Sequence, residues 1–174
     1  AIIEVSGEDR KSFLQGLVTN DVNKISSSLM FCAMLNPAGR FLYDFFIFED
    51  GEKIFLDCFS EKRDEIIKKL GFYKLRSKVL LEKNDDIQVA QNISNELIKA
   101  KLFKVFEDPR SQKIGQRLYF KNGETDDFEK IDQINYHAKR IENKIAESEH
   151  DLTYEKSLIL EFGFNQQNAV NYEK

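Results

Sequence analysis

The most constraining feature of this sequence is a set of three apolar segments separated by two short turn sequences. Residues Met30–Leu35 are wholly apolar, residues 40–48 are rich in aromatic side chains, and residues 53–59 are again mostly apolar. The first gap reads Asn-Pro-Ala-Gly, which is typical of a reverse turn, and the second contains Asp-Gly, which favours a hairpin. The pattern predicts a three-stranded antiparallel meander that is covered on both faces.

The segment that follows the meander has the pattern of a helix. Ile66, Ile67 and Leu70 share one helical face after Ser60, and Gly71 is expected to end the helix. Further strands are predicted at residues 72–81, 87–89, 101–106, 114–120 and 158–162, with residues 82–86 as a polar turn.

A longer helix is predicted to begin at Thr125, because apolar side chains recur there every three or four residues. These side chains are Phe128, Ile131, Ile134, Ala138 and Ile141. Since strands and helices are segregated along the chain, we predict an α+β fold with mainly antiparallel sheet. The length of 174 residues fits one domain, which could consist of two interlocked subdomains at about residues 1–86 and 87–174.

Composition excludes several classes of protein. The net charge is −4, from 26 basic and 30 acidic residues, which disfavours nucleic acid as the main ligand. No apolar run is long enough to span a bilayer, so no membrane partner is expected. Cys32 and Cys58 lack the spacing of a zinc site or a disulfide framework. Both lie in apolar strands, so we predict two buried thiols in a reducing compartment.

Asp44 is the residue that most clearly breaks the apolar pattern. Strand alternation places it on one face with Leu42, Phe46 and Phe48. An ionised carboxylate is costly to bury without a partner. Asp44 should therefore form an internal ion pair, protect a sheet edge, or accept hydrogen bonds from a heterocyclic ligand.

Tyr136 and Arg140 form a second candidate pair. They lie four residues apart on the predicted long helix and off its apolar stripe, so an aromatic ring and a guanidinium could together bind a flat ring with an acidic tail. The alternative is an ordinary solvated pair on a helix surface. His137 and His150 have no catalytic or metal-ligating companion at a useful spacing, so we interpret them as structural or solvated and predict no catalytic residues and no metal site.

Residues 11–22, KSFLQGLVTNDV, could form either a ligand cradle or a joint between two helices. A single glycine, Gly16, cannot form a phosphate-binding loop, because such loops need several glycines between a strand and a helix. The Thr-Asn-Asp cluster instead offers side-chain oxygens that can begin a new helix or turn. The segment is therefore predicted to be a joint.

Five segments together resemble the YgfZ/aminomethyltransferase-type folate-binding family. In order they are FLQGLVTNDV, LNPAGRFLYDFFIF, FYKLRSKV, FEDPRSQKIGQR and YHAKRIENKIAE. The sequence is more similar to the YgfZ branch, which includes a mitochondrial assembly factor for four-iron clusters, than to the glycine-cleavage enzyme. That branch has a K-G-C-Y-x-G-Q-E signature, and Lys174 matches its first residue. The resemblance thus implies a longer protein, with a cysteine just after Lys174 and a C-terminal barrel that this chain lacks.

The resemblance implies two interlocked, mainly antiparallel α+β subdomains around a central cavity that binds tetrahydrofolate. It implies a role in iron–sulfur cluster assembly or repair, with assembly proteins or cluster-containing clients as partners and an indirect effect on tRNA modification. We expect a monomer, in the cytoplasm of a bacterium or in the mitochondrial matrix of a eukaryote. The alternatives are a tetrahydrofolate-dependent aminomethyl or one-carbon transferase, and an interaction domain with a vestigial cavity.

Several residues acquire expected roles from this resemblance. Tyr136 matches an aromatic residue that stacks on folate, and Asp44 matches the second member of an acidic pair near the folate nitrogen. Tyr43 stands where the first acid of that pair would be, which disfavours aminomethyl transfer because a phenol cannot stabilise an iminium cation as a carboxylate does. Arg140 is a further candidate, because it lies beside Tyr136 on the predicted long helix. The remaining candidates are Glu161, expected to line the cavity, and Arg76 and Arg110, expected to contact folate or to pair with Asp44 or cap turns.

Overall fold

The computed structural model describes residues 1–25, 27–93, 101–124 and 133–174, and in these parts two antiparallel sheets form the framework. The strands are β1 (Ile2–Ser6), β2 (Met30–Leu35), β3 (Phe41–Asp50), β4 (Lys53–Asp57), β5 (Leu80–Asn84), β6 (Ile87–Asn92), β7 (Lys104–Glu107) and β8 (Gln116–Lys121). The first sheet has the order β2-β3-β4-β1-β5 and the second has the order β6-β8-β7. The predicted α+β fold with mainly antiparallel sheet is therefore confirmed.

Four α-helices accompany the sheets in the described residues. They are α1 (Arg10–Gln15), α2 (Arg63–Lys74), α3 (Gln133–Glu142) and α4 (Ser148–Asp151). Short 3-10 turns occupy Val22–Lys24, Ser60–Lys62, Gln112–Ile114 and Ile159–Phe162. Within these described parts, no helix combines the length and the apolar character needed to cross a membrane.

The predicted meander is present. β2 pairs with β3 across the turn at residues 36–39, and β3 pairs with β4 in a register that places Asp50 opposite Lys53. β1 then pairs with the far side of β4, so β3 and β4 lie inside the five-stranded sheet. Central strands of this kind need apolar side chains on both faces, which explains the near-continuous apolar runs.

Two apolar clusters cover the two faces of the first sheet. One face packs against α1 and α2 and includes Ile3, Ile47, Leu56 and both buried cysteines. The other face packs against the second sheet and the C-terminal segment, and is dominated by aromatic rings. In that second cluster, the ring of Phe48 lies 5.0 Å from Phe55 and 4.5 Å from Tyr119 between centroids.

Residues 11–22 form a joint, as predicted. α1 ends near Gly16, and the Asp21 carboxylate accepts a hydrogen bond of 3.1 Å from the Asn23 N–H at the start of the next 3-10 turn. The Thr19 hydroxyl donates a 2.6 Å hydrogen bond to the Ala169 carbonyl. The joint therefore also ties the C-terminal segment to the body of the protein.

Three predicted elements differ in the structure. Residues 72–81 were expected to be a strand, but α2 continues through Gly71 to Lys74, because Gly71 keeps a helical conformation. Pairing with β1 then places β5 at Leu80–Asn84, where a polar turn was predicted. Where a strand was predicted at residues 158–162, Ile159–Phe162 form a 3-10 turn.

The other strand predictions are confirmed with shifted ends, as β6, β7 and β8. The predicted long helix is present as α3 in the described part of the chain, whereas Thr125, Phe128 and Ile131 lie outside the described residues. The second sheet begins only at Ile87, three residues after the first sheet ends at Asn84. A division of the chain into two subdomains near this point remains a prediction.

Candidate functional site

A cavity of about 560 Å³ lies between β3 and β4 on one side and the second sheet, α3 and α4 on the other. Its wall carries many polar and titratable side chains for a space bounded by two apolar sheets. Among them are Asp44, Asp57, Gln91, Arg110, Arg117, Tyr136, His137, Glu147, Ser148 and His150. The volume falls in the range of ordinary small-molecule sites.

Asp44 projects from β3 into this cavity, on the same face as Phe46 and Phe48. Its carboxylate accepts a 2.6 Å hydrogen bond from the Ser148 hydroxyl. Burial raises the pKa of Asp44 above its ordinary value, while the hydrogen bond from Ser148 and the charge of Arg110 oppose this shift. A carboxyl group in this environment can exchange hydrogen bonds with a polar heterocycle.

Tyr136 lies on α3 and reaches the same cavity. Its hydroxyl accepts a 3.1 Å hydrogen bond from Arg110 and donates a 2.5 Å hydrogen bond to Glu147. Burial raises the pKa of the Tyr136 phenol, so the hydroxyl keeps its proton at neutral pH. These two bonds fix the orientation of the ring at the cavity wall.

Arg110 is held by its own turn. Its guanidinium donates to both carboxylate oxygens of Asp108, at 3.0 and 2.9 Å, and both side chains are fully enclosed. The guanidinium carbon also lies 4.7 Å from the ring centroid of Phe46. Arg110 therefore has the structural role that the sequence offered as one alternative, with Asp108 and Glu147, and not Asp44, as its ion-pair partners.

Arg140 lies behind the cavity wall and does not line it. It is only 5% exposed, and it donates hydrogen bonds to His137 Nδ1 at 3.0 Å and to Asp151 at 2.7 Å. The solvated interpretation of the Tyr136–Arg140 pair is therefore wrong. In the described part of the helix the predicted apolar stripe is reversed as well, because Ile134 and Ile141 are 69% and 63% exposed.

The reversal of α3 has a physical cause. The polar face of the helix meets partners in two regions, Glu147 and Asp151 at the two ends of α4 and the Asp108–Arg110 turn. These partners form hydrogen bonds and ion pairs with the buried polar groups of α3, which offsets the free-energy cost of burying them.

Two predicted site residues lie elsewhere. Arg76 is exposed in the loop after α2, and Glu161 is exposed in the last 3-10 turn. Neither lines the 560 Å³ cavity. The structure thus brings Asp44, Tyr136 and Arg110 together, places Arg140 behind them, and separates Arg76 and Glu161 from them.

A second ionic group at the cavity was missed by the sequence analysis. Arg117 on β8 donates a 2.5 Å hydrogen bond to Asp57 on β4, and the Tyr119 hydroxyl donates to the same carboxylate oxygen at 3.0 Å. The Arg117 guanidinium also stacks 4.0 Å from the centroid of Phe46. Asp57 interrupts an apolar strand just as Asp44 does, so the same signal could have revealed it.

A smaller cavity of about 220 Å³ adjoins the first. The two share part of their walls, including Asp44, Phe59 and Ser148. Tyr43 lines only the smaller cavity, and its hydroxyl donates a 2.7 Å hydrogen bond to Glu65. The residue at the first position of the family's acidic pair is therefore not in the wall of the larger cavity.

His137, Glu147 and His150 are the group in the described residues that could hold a metal ion, with one ligand atom of each within 4.8 Å of the others. All three line the larger cavity, so the two histidines are neither remote nor fully solvated. Two of the three residues already accept hydrogen bonds, since His137 Nδ1 accepts from Arg140 and Glu147 accepts from Tyr136. A cation would have to compete with these hydrogen bonds.

Comparison with known proteins defines the class. The fold resembles that of the glycine cleavage system aminomethyltransferase T from Bartonella henselae, with a TM-score of 0.54 and 12% identity over 68% of this chain and 39% of that chain. No protein-family model matches the sequence. The architecture is therefore of the aminomethyltransferase type.

Curated relatives indicate which branch of this class the sequence is most similar to. A Mycosarcoma maydis protein named iron–sulfur cluster assembly factor IBA57 homolog, mitochondrial, is 31% identical over 99% of this chain and 48% of that protein. The mitochondrial factor IBA57 of Mus musculus is 26% identical over 100% of this chain and 56% of that protein. The chain spans about half the length of these relatives. The sequence is thus similar to iron–sulfur cluster assembly factors of the IBA57 type, which agrees with the predicted resemblance to the YgfZ branch.

Proposed function

We propose that the 560 Å³ cavity binds a tetrahydrofolate, and that the protein containing this chain supports iron–sulfur cluster assembly or repair without catalysing a reaction on the folate. One observation carries the ligand proposal. Asp44 and Tyr136 come from separate elements, yet both line one cavity of the right size beside two guanidinium groups. The names of the curated relatives support the cellular role.

The residues suggest how a pterin-like ring would be held. The Asp44 carboxyl group would exchange hydrogen bonds with ring N–H groups, and the fixed ring of Tyr136 would form an apolar wall. Arg110 and Arg117 would contribute indirectly by positioning Phe46, since both guanidinium groups pack on this ring at the cavity wall. Arg76 and Glu161 have no part in this proposal.

A folate-dependent transferase is the second candidate, supported by the aminomethyltransferase fold. It is disfavoured by Tyr43, whose hydroxyl donates its hydrogen bond to Glu65 at the smaller cavity.

The partners in the non-enzymatic proposal are iron–sulfur assembly proteins or cluster-containing clients, and any effect on tRNA modification is indirect. The location would be the mitochondrial matrix in a eukaryote or the cytoplasm in a bacterium, and the protein would act as a monomer.

The test is calorimetric titration of the full-length protein with tetrahydrofolate under anaerobic conditions. Tyr136→Ala should weaken binding by about 1–3 kcal/mol, because a buried aromatic contact is lost. Tyr136→Phe keeps the ring and should retain most of the affinity. Tyr172→Ala is the matched control, since Tyr172 is 72% exposed and lies outside the cavity. No binding at millimolar ligand, or equal loss in all three variants, would contradict the proposal.

A further inference from the structure

A basic and apolar surface lies at the end of α2, away from the residues that line the 560 Å³ cavity. Residues 66–81 contain Lys68, Lys69, Lys74, Arg76 and Lys78 and no carboxylate, although the whole chain has a net charge of −4. The net charge thus conceals a local excess of positive charge. We call this region the 68–80 surface, defined by Lys68, Lys69, Phe72, Leu75, Arg76 and Leu80.

Large apolar side chains are exposed among these cations. Phe72 is 70% exposed, Leu75 is 89% exposed and Leu80 is 50% exposed. At 100° per residue, Lys68 and Phe72 lie on the side of α2 opposite the buried Ile66 and Leu70. Several large apolar side chains exposed within one short segment are typical of an interaction surface.

The backbone that carries the surface is fixed. Leu75 has a φ of +43°, a conformation that a leucine rarely adopts. The following loop is tied to the start of α1, because the Asp9 carboxylate accepts a 2.7 Å hydrogen bond from the Lys78 N–H. Ser77 N–H also donates a 2.7 Å hydrogen bond to the Lys74 carbonyl. Leu75 is therefore held outward by the fold at a conformational cost.

Most of the cations here have no internal partner. Lys78 pairs with Glu8 at 2.7 Å. Among the residues that the structure describes, Lys68, Lys69, Lys74 and Arg76 form no ion pair within 4.0 Å. Their charges are available to an anionic partner.

We propose that the 68–80 surface docks the protein on an anionic lipid bilayer, independently of any folate in the cavity. Cations stand on both sides of the apolar side chains along the chain, with Lys69 before Phe72 and Arg76 after Leu75. This order lets apolar side chains enter the headgroup boundary while the long cationic side chains stay at the level of the phosphates. The expectation of no membrane partner rested on the absence of an apolar run long enough to span a bilayer, which does not bear on peripheral binding by a local surface.

Two other anionic partners fit the surface less well. A nucleic acid would engage the cations, and Phe72 offers one ring on which a base could stack, but the larger part of the exposed apolar surface comes from Leu75 and Leu80, which offer none. An acidic protein would need cations at fixed positions, whereas Lys68, Lys69 and Arg76 form no ion pair with any residue that the structure describes. A bilayer requires only charge and exposed apolar area.

The experiment is flotation of the full-length protein with vesicles of pure phosphatidylcholine or with about 30% phosphatidylglycerol. We expect binding only to the anionic vesicles. The triple variant K68E/K69E/R76E should reduce binding at least about tenfold, because each cation contributes near an anionic surface. The matched control K113E/K144E/K156E changes the net charge equally at exposed lysines outside the surface and should bind nearly as wild type.

A second variant, F72S/L75S, tests the apolar part at unchanged charge. It should also weaken binding, while circular dichroism confirms that each variant is folded. Absence of vesicle binding at millimolar lipid, or equal loss in the control triple variant, would overturn the proposal. Tighter binding to a single-stranded oligouridylate than to the vesicles would also overturn the proposal and indicate a nucleic-acid site. Unchanged vesicle binding by F72S/L75S would overturn it too and indicate a purely electrostatic site.

Discussion

The Ser148 hydroxyl donates a 2.6 Å hydrogen bond to Asp44, which joins residues 104 positions apart at the wall shared by both cavities. The bond connects the central strand β3 to the first residue of α4. It gives the carboxyl group a partner that is not an ion pair, so the charge of Asp44 remains only partly compensated. Asp44 is accordingly the group whose protonation should most affect this wall.

The first prediction concerns the pH dependence of stability. Because burial raises the pKa of Asp44 above 3.8, its favourable contribution is fully present below the unfolded pKa and is lost as pH rises through the folded pKa. Asp44→Asn keeps an acceptor for Ser148 and removes this loss. The free energy of unfolding of the variant, relative to wild type, should therefore increase from about pH 4 to about pH 7 in urea titrations. Asp86→Asn, at an exposed turn position, is the control, and a parallel pH profile for both variants would refute the assignment.

The second prediction concerns the buried pair of Asp108 and Arg110. Asp108→Ala removes the bidentate partner of the buried Arg110 guanidinium, leaves it with Glu147 at 3.5 Å, and should cost about 3–5 kcal/mol in free energy of unfolding. The double variant D108A/R110M should recover part of this loss, because the buried guanidinium is no longer present. Asp85→Ala removes an exposed partner of Arg63 and should cost less than about 1 kcal/mol. Equal costs for Asp108→Ala and Asp85→Ala in chemical denaturation would contradict this account.

The third prediction compares two glycines with positive φ. A Cβ on Gly7 would collide with the Lys78 carbonyl, whereas a Cβ on Gly51 would meet open space. Gly51→Ala should destabilise the protein by about 1 kcal/mol through backbone strain alone. Gly7→Ala should cost clearly more in thermal or chemical unfolding, since the loop after α2 must move. If the two losses were the same, packing against Lys78 would be unimportant.

The fourth prediction concerns the thiols. Burial raises the pKa of Cys58 to about 12 and raises that of Cys32 further, so thiolate is scarce at neutral pH. Both cysteines should resist iodoacetamide at about pH 8 in the native protein and react readily in denaturant. Mass spectrometry of the alkylated protein measures this, with Cys58→Ser isolating the signal of Cys32. Rapid labelling of either thiol in the native protein would contradict this prediction, because it would show that the buried surroundings of the thiol open to solvent.

The sequence predicted the first sheet well because its signals are local. The turn at residues 36–39 and the Asp50-Gly51 turn set the meander, and their positions agree with the observed pairing. β5 could not be placed in this way, since Glu82 and Lys83 have little strand preference and are positioned by pairing with β1. Long-range pairing here overrides local propensity.

The candidate site was predictable only in part. Asp44 was recognisable because a single carboxylate interrupts an apolar alternation, and Asp57 carries the same signal. Glu147 was not recognisable, because it lies in a polar loop and acquires its importance only from contact with Tyr136. The buried orientation of Arg140 likewise depends on partners that a helical pattern does not reveal.

The bond between Arg117 and Asp57 spans 60 residues and joins the two sheets. The aromatic face of the first sheet is thus covered by chain that is synthesised after it. A nascent protein released only as far as β5 would display Phe31, Phe48 and Phe55 to its surroundings. Premature termination, or slow translation of the residues that form the second sheet, should therefore yield an aggregation-prone intermediate that depends on chaperones.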